Sequence, residues 1–133
     1  MNVEVIALCE AANDSQGKLN LLGAFDSIWA RSMPAVHAAC AVAIRMRFNH
    51  AESGEHRVAI HVIDDDGQMA FQPVDGKIQV NVRPEDGSAV ANIVLNIHGL
   101  RFEHYGEYSV NLMVDGEEVA VLPLFVRQAP APA

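Results

Sequence analysis

Basic residues are scarce in this sequence of 133 residues. Two lysines and seven arginines stand against 17 Asp and Glu, which gives a net charge of −8 with six histidines left neutral. That balance excludes a phosphate backbone as the main partner, because few cations are present to replace its counterions. Cysteine is limited to Cys9 and Cys40. Two thiols make no disulfide framework and fit small buried side chains in a reducing compartment. No apolar run approaches the roughly 18 to 20 residues that span a bilayer. The opening Met1-Asn2-Val3-Glu4-Val5 carries no basic segment, so a cytoplasmic protein is expected, with a first strand close to the start. Phosphate-cradling glycine loops, a Gly-x-Ser-x-Gly elbow and any helix-period segment longer than a turn or two are all missing.

What remains is apolar and alternating. Half of the residues are hydrophobic and a fifth are charged, the composition of a folded globular chain. The length suits a single domain over residues 1–128, followed by a flexible tail, 129–133, with two prolines. In Lys77–Arg83, Ile78, Val80 and Val82 face one way and the polar residues face the other, until Pro84 ends the run. Cys40, Val42, Ile44, Met46 and Phe48 form a second such row, and Val58, Ile60 and Val62 a third. Ala91, Ile93, Leu95 and Ile97 form a fourth, with Val90 and Val94 on its outer face. Tyr108, Val110, Leu112 and Val114 precede Asp115-Gly116, a strong hairpin signal, and the return strand runs from about Val119 to Val126. Pro123 within it implies an edge position or a bulge.

The N-terminal third is less regular. Val3–Glu10 reads as a strand and Asn13–Gly17 as a turn. Lys18–Trp29 reads as one extended stretch whose phase slips at Gly23, as a bulge there would produce. Arg31–Ala39, with Pro34, reads as a loop or one short helical turn. About eight strands result, and a sheet of this extent covers its apolar face with another. The expected fold is all-β, a two-sheet antiparallel sandwich.

Two stretches carry a family resemblance. The first is Val3–Ala12 continued by Gly17–Asp26, including Gly-Lys-Leu-Asn-Leu-Leu-Gly-Ala-Phe-Asp. The second is Gly106–Val110 continued by Val114–Gly116 and Leu122–Leu124. They resemble an uncharacterised bacterial domain-of-unknown-function family of small cytoplasmic proteins, which implies no activity and transfers no site residue. Gly106-Glu107-Tyr108 also resembles the tyrosine corner of immunoglobulin-like sandwiches, whose hydroxyl ties back to upstream backbone. The spacing of Trp29 and Cys40 departs from the antibody pattern, so an immunoglobulin-like sandwich is expected without its disulfide.

Chemistry-bearing residues are dispersed. His50 and His56 flank the turn Ala51–Glu55, and His104 joins them as a candidate metal or ligand set, but no zinc-type spacing is present. Asp64-Asp65-Asp66-Gly67 lacks the alternation of a calcium loop and reads as a turn. Cys9 and Cys40 lie in apolar runs and read as inert core thiols. If the strands on either side of Ala51–Glu55 pair, Arg47 meets Arg57, Arg45 meets Ala59 and Ala43 meets His61. Like charges directly opposite repel, so such a stripe wants an anionic neighbour. The plainer reading is a solvated face with internal ion pairs. Val90, Val94, Met113 and Phe125 would mark a homodimer interface through a sheet face or edge if they were contiguous.

The expected function is therefore that of a non-enzymatic interaction or accessory module. It binds an acidic protein partner through Arg45, Arg47, Arg57 and His61, with no nucleic acid, membrane or cofactor. The alternative is a small enzyme or ligand binder with a pocket lined by His50, His56 and His104.

Overall fold

Alternation in the sequence becomes nine strands in a computed structural model, which describes residues 1–130. They are β1 (Asn2–Ser15), β2 (Lys18–Ala24), β3 (Ser27–Ala30), β4 (Ala35–Asn49), β5 (Gly54–Ile63), β6 (Val74–Val80), β7 (Ser88–Phe102), β8 (Gly106–Val114) and β9 (Glu117–Gln128). Two sheets result, one ordered β2-β1-β4-β7 and the other β3-β9-β8-β5-β6. No helix among the described residues is long and apolar enough to cross a membrane.

The inward rows read from the sequence form the core between the sheets. Val42, Ile44, Met46 and Phe48 from β4 meet Val58, Ile60 and Val62 from β5 and Tyr108, Val110 and Leu112 from β8, all nearly inaccessible to solvent. The Tyr108 hydroxyl donates to the carbonyl of His104 at 2.7 Å, the upstream tie expected from Gly106-Glu107-Tyr108. The Asp115-Gly116 hairpin also forms, with Asp115 at φ +51° and Gly116 at φ +84°. That pair of positive φ values is what a two-residue hairpin needs.

Several expectations are corrected. The four-stranded sheet is antiparallel, but the five-stranded sheet is mixed, because β3 runs parallel to β9. Lys18–Trp29 is two strands rather than one: at Phe25-Asp26 the chain leaves one sheet for the other. The Asp26 carbonyl accepts from the Phe125 N–H at 2.7 Å and anchors β3 beside β9. Gly23 holds no bulge. The register runs unbroken from Cys9↔Ala24 to Ala11↔Leu22, and the phase slip comes from Gly23 at φ +68°. The loop after Arg31 is short, because β4 starts at Ala35 and pairs along its whole length with β7. The Met33–Pro34 peptide in that loop is cis. Pro123 lies ahead of the segment of β9 that pairs with β3, so β9 is an edge there, as expected. Of the expected tail, residues 131–133 lie outside the described residues. Ala129 is tied to the Ala30 carbonyl at 2.9 Å.

The largest correction concerns β4 and β5, which do not pair. Asn49 and Glu52 cap the connecting turn reciprocally: Asn49 Oδ1 accepts from the Glu52 N–H at 3.2 Å, and Glu52 Oε1 accepts from the Asn49 N–H at 3.0 Å. A turn closed in this way carries the chain across the roughly 10 Å core to the opposite sheet. Arg47 and Arg57 therefore belong to different sheets.

A second, smaller core lies on the outer face of the four-stranded sheet. Cys9, Ala41 and Ala43, with Val94 beside Ala43, lie there beneath Ala12, Leu19 and Leu21. The β1–β2 hairpin folds over β4, and its turn reaches β7, where Asn92 Nδ2 donates to the Gly17 carbonyl at 3.0 Å.

Ile44, 0% exposed, and Val36, 60% exposed, lie on the same strand. Ile44→Ala is expected to lower unfolding free energy by about 2–5 kcal/mol, and Val36→Ala by no more than about 0.5 kcal/mol. Denaturant midpoints check both, and equal losses would contradict the burial pattern.

Candidate functional site

The arginines singled out in the sequence occupy two separate surfaces. On the four-stranded sheet, β1 carries one extra residue between Val3↔Met46 and Val5↔Arg45, and that residue is Glu4. The bulge turns its carboxylate between two guanidinium groups. Arg45 Nε donates to Glu4 Oε1 at 2.9 Å, and Arg47 Nε to Glu4 Oε2 at 2.7 Å. Arg47 Nη1 also reaches Ser88 Oγ at 3.0 Å, and Arg45 Nη1 reaches Asn92 Oδ1 at 3.4 Å. The hydrogen bonds from Arg47 and then Arg45 hold the Glu4 carboxyl below its ordinary range, and Glu4 raises Arg47 in return. These two cations are satisfied within the chain.

Arg57 and His61 lie on the outer face of the five-stranded sheet. With Ala59 from β5, Asp75, Gly76 and Lys77 from β6 and Met113 from β8, they line a groove of about 460 Å³. Alternation puts them there: Val58, Ile60 and Val62 enter the core, so Arg57, Ala59 and His61 point outward. Arg57 is opposite Lys77, not Arg47. Lys77 is bridged to Glu55 at 3.3 Å, whereas the Arg57 guanidinium has no side-chain partner among the described residues. Its backbone is fixed by Asp115, whose Oδ1 accepts from the Arg57 N–H at 2.9 Å. Opposite His61 stands Asn111, 8% exposed, bonded through Nδ2 to Glu118. The groove thus offers an apolar floor, Ala59 and Met113, rimmed by an unpaired guanidinium, an ammonium and the Asp75 carboxylate.

The outer apolar residues do not form one patch. Val94 is covered by the β1–β2 hairpin, and Val90 is opposite Arg47. Met113 floors the groove, while Phe125 lies under the Arg127 guanidinium at 4.6 Å.

The three candidate histidines do not converge. His50 Nδ1 is 2.6 Å from the Val82 carbonyl. His104 stacks on Tyr108 at the opposite end of β8 from the Asp115 turn, with Nε2 3.9 Å from Asp65. His56 uses both ring nitrogens: Nδ1 is 2.6 Å from Asp115 Oδ2, and Nε2 is 2.6 Å from the Glu52 carbonyl. Two acceptors favour the doubly protonated ring, which has no lone pair for a metal or for a proton in catalysis. Asp115, then the Glu52 carbonyl, raise His56 above its ordinary value, and His56 lowers Asp115. Asp64, Asp65 and Asp66 form the expected turn, in which Asp64 Oδ1 accepts from the Asp66 and Gln68 N–H groups. Both cysteines are buried and free, and burial pushes the Cys40 thiol up to about 11.

Glu4 and Asp75 were missed from the sequence as parts of these surfaces. Glu4 was not legible, because it sits in a bulge that breaks the alternation of β1 and leaves Val5, opposite Arg45, 37% exposed. Asp75 follows the irregular stretch after Gly67, where no periodic signal exists.

The His56–Asp115 contact sets a pH dependence. A raised His56 stabilises the fold fully below its unfolded value near 6.5 and loses that contribution as pH rises through the higher folded value. A lowered Asp115 contributes above its unfolded value near 3.8 and loses it as pH falls through the lower folded value. The gap in thermal midpoint between the wild type and His56→Asn should therefore narrow from about pH 6 to about pH 9. A gap independent of pH would refute the charged pair.

None of the curated proteins matches the chain. Among solved structures it is similar to Pseudomonas fluorescens alkylpurine DNA glycosylase AlkC bound to DNA containing an abasic site analog. The TM-score is 0.51 and the identity 11%, over 92% of this chain and 30% of that one. At that identity the likeness is one of fold alone, and this chain spans under a third of that protein's length. A family model described as "Family of unknown function (DUF6941)" matches residues 4–127, and the chain belongs to that family.

Proposed function

We propose that the chain is a non-enzymatic interaction module with an immunoglobulin-like sandwich, and that an acidic protein partner docks in the groove between β5, β6 and β8. The observation that carries this reading is Arg57. Among the described residues it is the guanidinium beside the groove without a side-chain partner, while Arg45 and Arg47 are both engaged by Glu4. A forked guanidinium next to an apolar floor suits a carboxylate flanked by apolar side chains. His61 and Lys77 add donors on the same face. The contact set of the proposal is thus Arg57, His61 and Lys77, without Arg45 and Arg47.

The immunoglobulin-like reading is supported by the strand order. β1-β4-β7 faces β9-β8-β5-β6, and the Tyr108 hydroxyl ties back to backbone four residues upstream. Two free, buried thiols support a reducing compartment such as the cytoplasm. A second copy is the weaker candidate for the groove, since each chain carries a net −8. The DNA of the glycosylase complex is not carried over, because 17 acidic residues outnumber 9 basic ones.

The test is a titration of ¹⁵N-labelled protein with a Glu-rich peptide containing interspersed leucines, at low salt. Amide shifts are expected to cluster on β5, β6 and β8 around Arg57 and His61, and Arg57→Glu should weaken binding by about tenfold or more. Shifts centred on Arg45 and Arg47, or binding unchanged by Arg57→Glu, would overturn the proposal.

A further inference from the structure

We infer that the outer half of the β1–β2 hairpin, residues 10–23, is a flap that opens off the four-stranded sheet as a unit while the sandwich between the sheets stays folded. It concerns the face opposite the groove and is independent of the proposed partner.

The pairing pattern shows where the flap begins. β1 is bonded to β4 from Asn2↔Arg47 to Cys9↔Ala41, and beyond Cys9 it pairs with β2 alone. Gly23 lies opposite Glu10, where β1 leaves β4, and has φ +68°. A Cβ at Gly23 would come 2.9 Å from Glu10 Cγ. A glycine at the point of separation suits a hinge, because without a Cβ it passes between left-handed and right-handed backbone at little steric cost.

Beyond the hinge the hairpin is held by little. Its apolar contacts are Ala12, Leu19 and Leu21 on a floor of Cys9, Ala41, Ala43 and Val94, a cluster separate from the main core. Among the described residues, the one hydrogen bond from its tip to the sheet runs from Asn92 Nδ2 to the Gly17 carbonyl. Its remaining side-chain hydrogen bonds are internal, from Asn20 Nδ2 to Asn13 Oδ1 and the Lys18 carbonyl, and at the hinge itself Glu10 Oε2 lies 3.8 Å from His37 Nε2 of β4. Opening therefore costs the small cluster and leaves the main core intact, the condition for a local unfolding unit. The open state uncovers an apolar floor on a strongly acidic molecule.

The two cysteines report on it from opposite sides of the same sheet. Cys9 lies under the flap, and Cys40 points into the main core. The experiment is alkylation of native protein with iodoacetamide, read at each thiol by peptide mass spectrometry. Each rate is normalised to that of the same thiol in denaturant. Cys9 is expected to react at least about tenfold faster than Cys40, and Leu19→Ala with Leu21→Ala should accelerate Cys9 about tenfold more without moving Cys40. Asn92→Ala, which leaves the apolar cluster whole, should accelerate Cys9 to a smaller extent. Hydrogen exchange gives a second readout, in which amides of residues 11–22 exchange together and ahead of those of β4. Equal normalised rates at the two thiols, acceleration of both by the variants, or hairpin amides exchanging only with β4, would overturn the inference.

Discussion

The structure depends on the burial of β4 on both of its faces. Ala41, Val42, Ala43 and Ile44 are each at most 1% exposed. One face drives Val42, Ile44, Met46 and Phe48 into the core between the sheets. The other, built of alanines, lies beneath the β1–β2 hairpin. Buried on both faces, β4 needs strands on both edges to satisfy its backbone, and β1 and β7 supply them. The capped turn after Asn49 then sends β5 across the core to begin the opposite sheet. From this follow the separation of the arginines, the groove over β5 and the closure of one sheet by a folded hairpin.

Much of the fold was legible because the side-chain period of a strand is a local property. The inward rows of β4, β5 and β8, and the Asp115-Gly116 turn, all stood in the sequence as alternation and turn chemistry. What was not legible is which strand lies beside which. β4 and β5 are consecutive and joined by a short turn, so pairing was the natural expectation, yet reciprocal capping by Asn49 and Glu52 overrides it. The parallel β3 was hidden for a similar reason. Lys18–Trp29 looks continuous, and only the crossing at Phe25-Asp26 divides it between sheets. Alanine at positions 41 and 43 was readable as outward-facing, but the sequence does not say what covers those positions.

The surface chemistry was half legible. Arg45, Arg47, Arg57 and His61 lie on outer faces, but the Arg47–Arg57 juxtaposition from which a carboxylate neighbour was argued does not form; the neighbours that share a carboxylate are Arg45 and Arg47. The carboxylate is Glu4 of the same chain, aimed by a bulge that no periodic pattern announces. Separating Arg57 from the other two turns one diffuse stripe into a satisfied clamp on one sheet and an unpaired cation beside a groove on the other. The histidines show the same lesson. Their number suggests a metal, but His56 is occupied by Asp115 and Glu52 and acts as a pin between the β4–β5 turn and the β8–β9 turn.

The division of the arginines is the central claim, and their Nε–H groups report it directly. A ¹H–¹⁵N spectrum of the arginine side chains at neutral pH and low temperature is predicted to show slowly exchanging, individually shifted Nε–H signals for Arg45 and Arg47. Arg57 should exchange freely with water. Protection of Arg57 would contradict the assignment of the groove as the open site, and free exchange at Arg45 and Arg47 would contradict the Glu4 clamp.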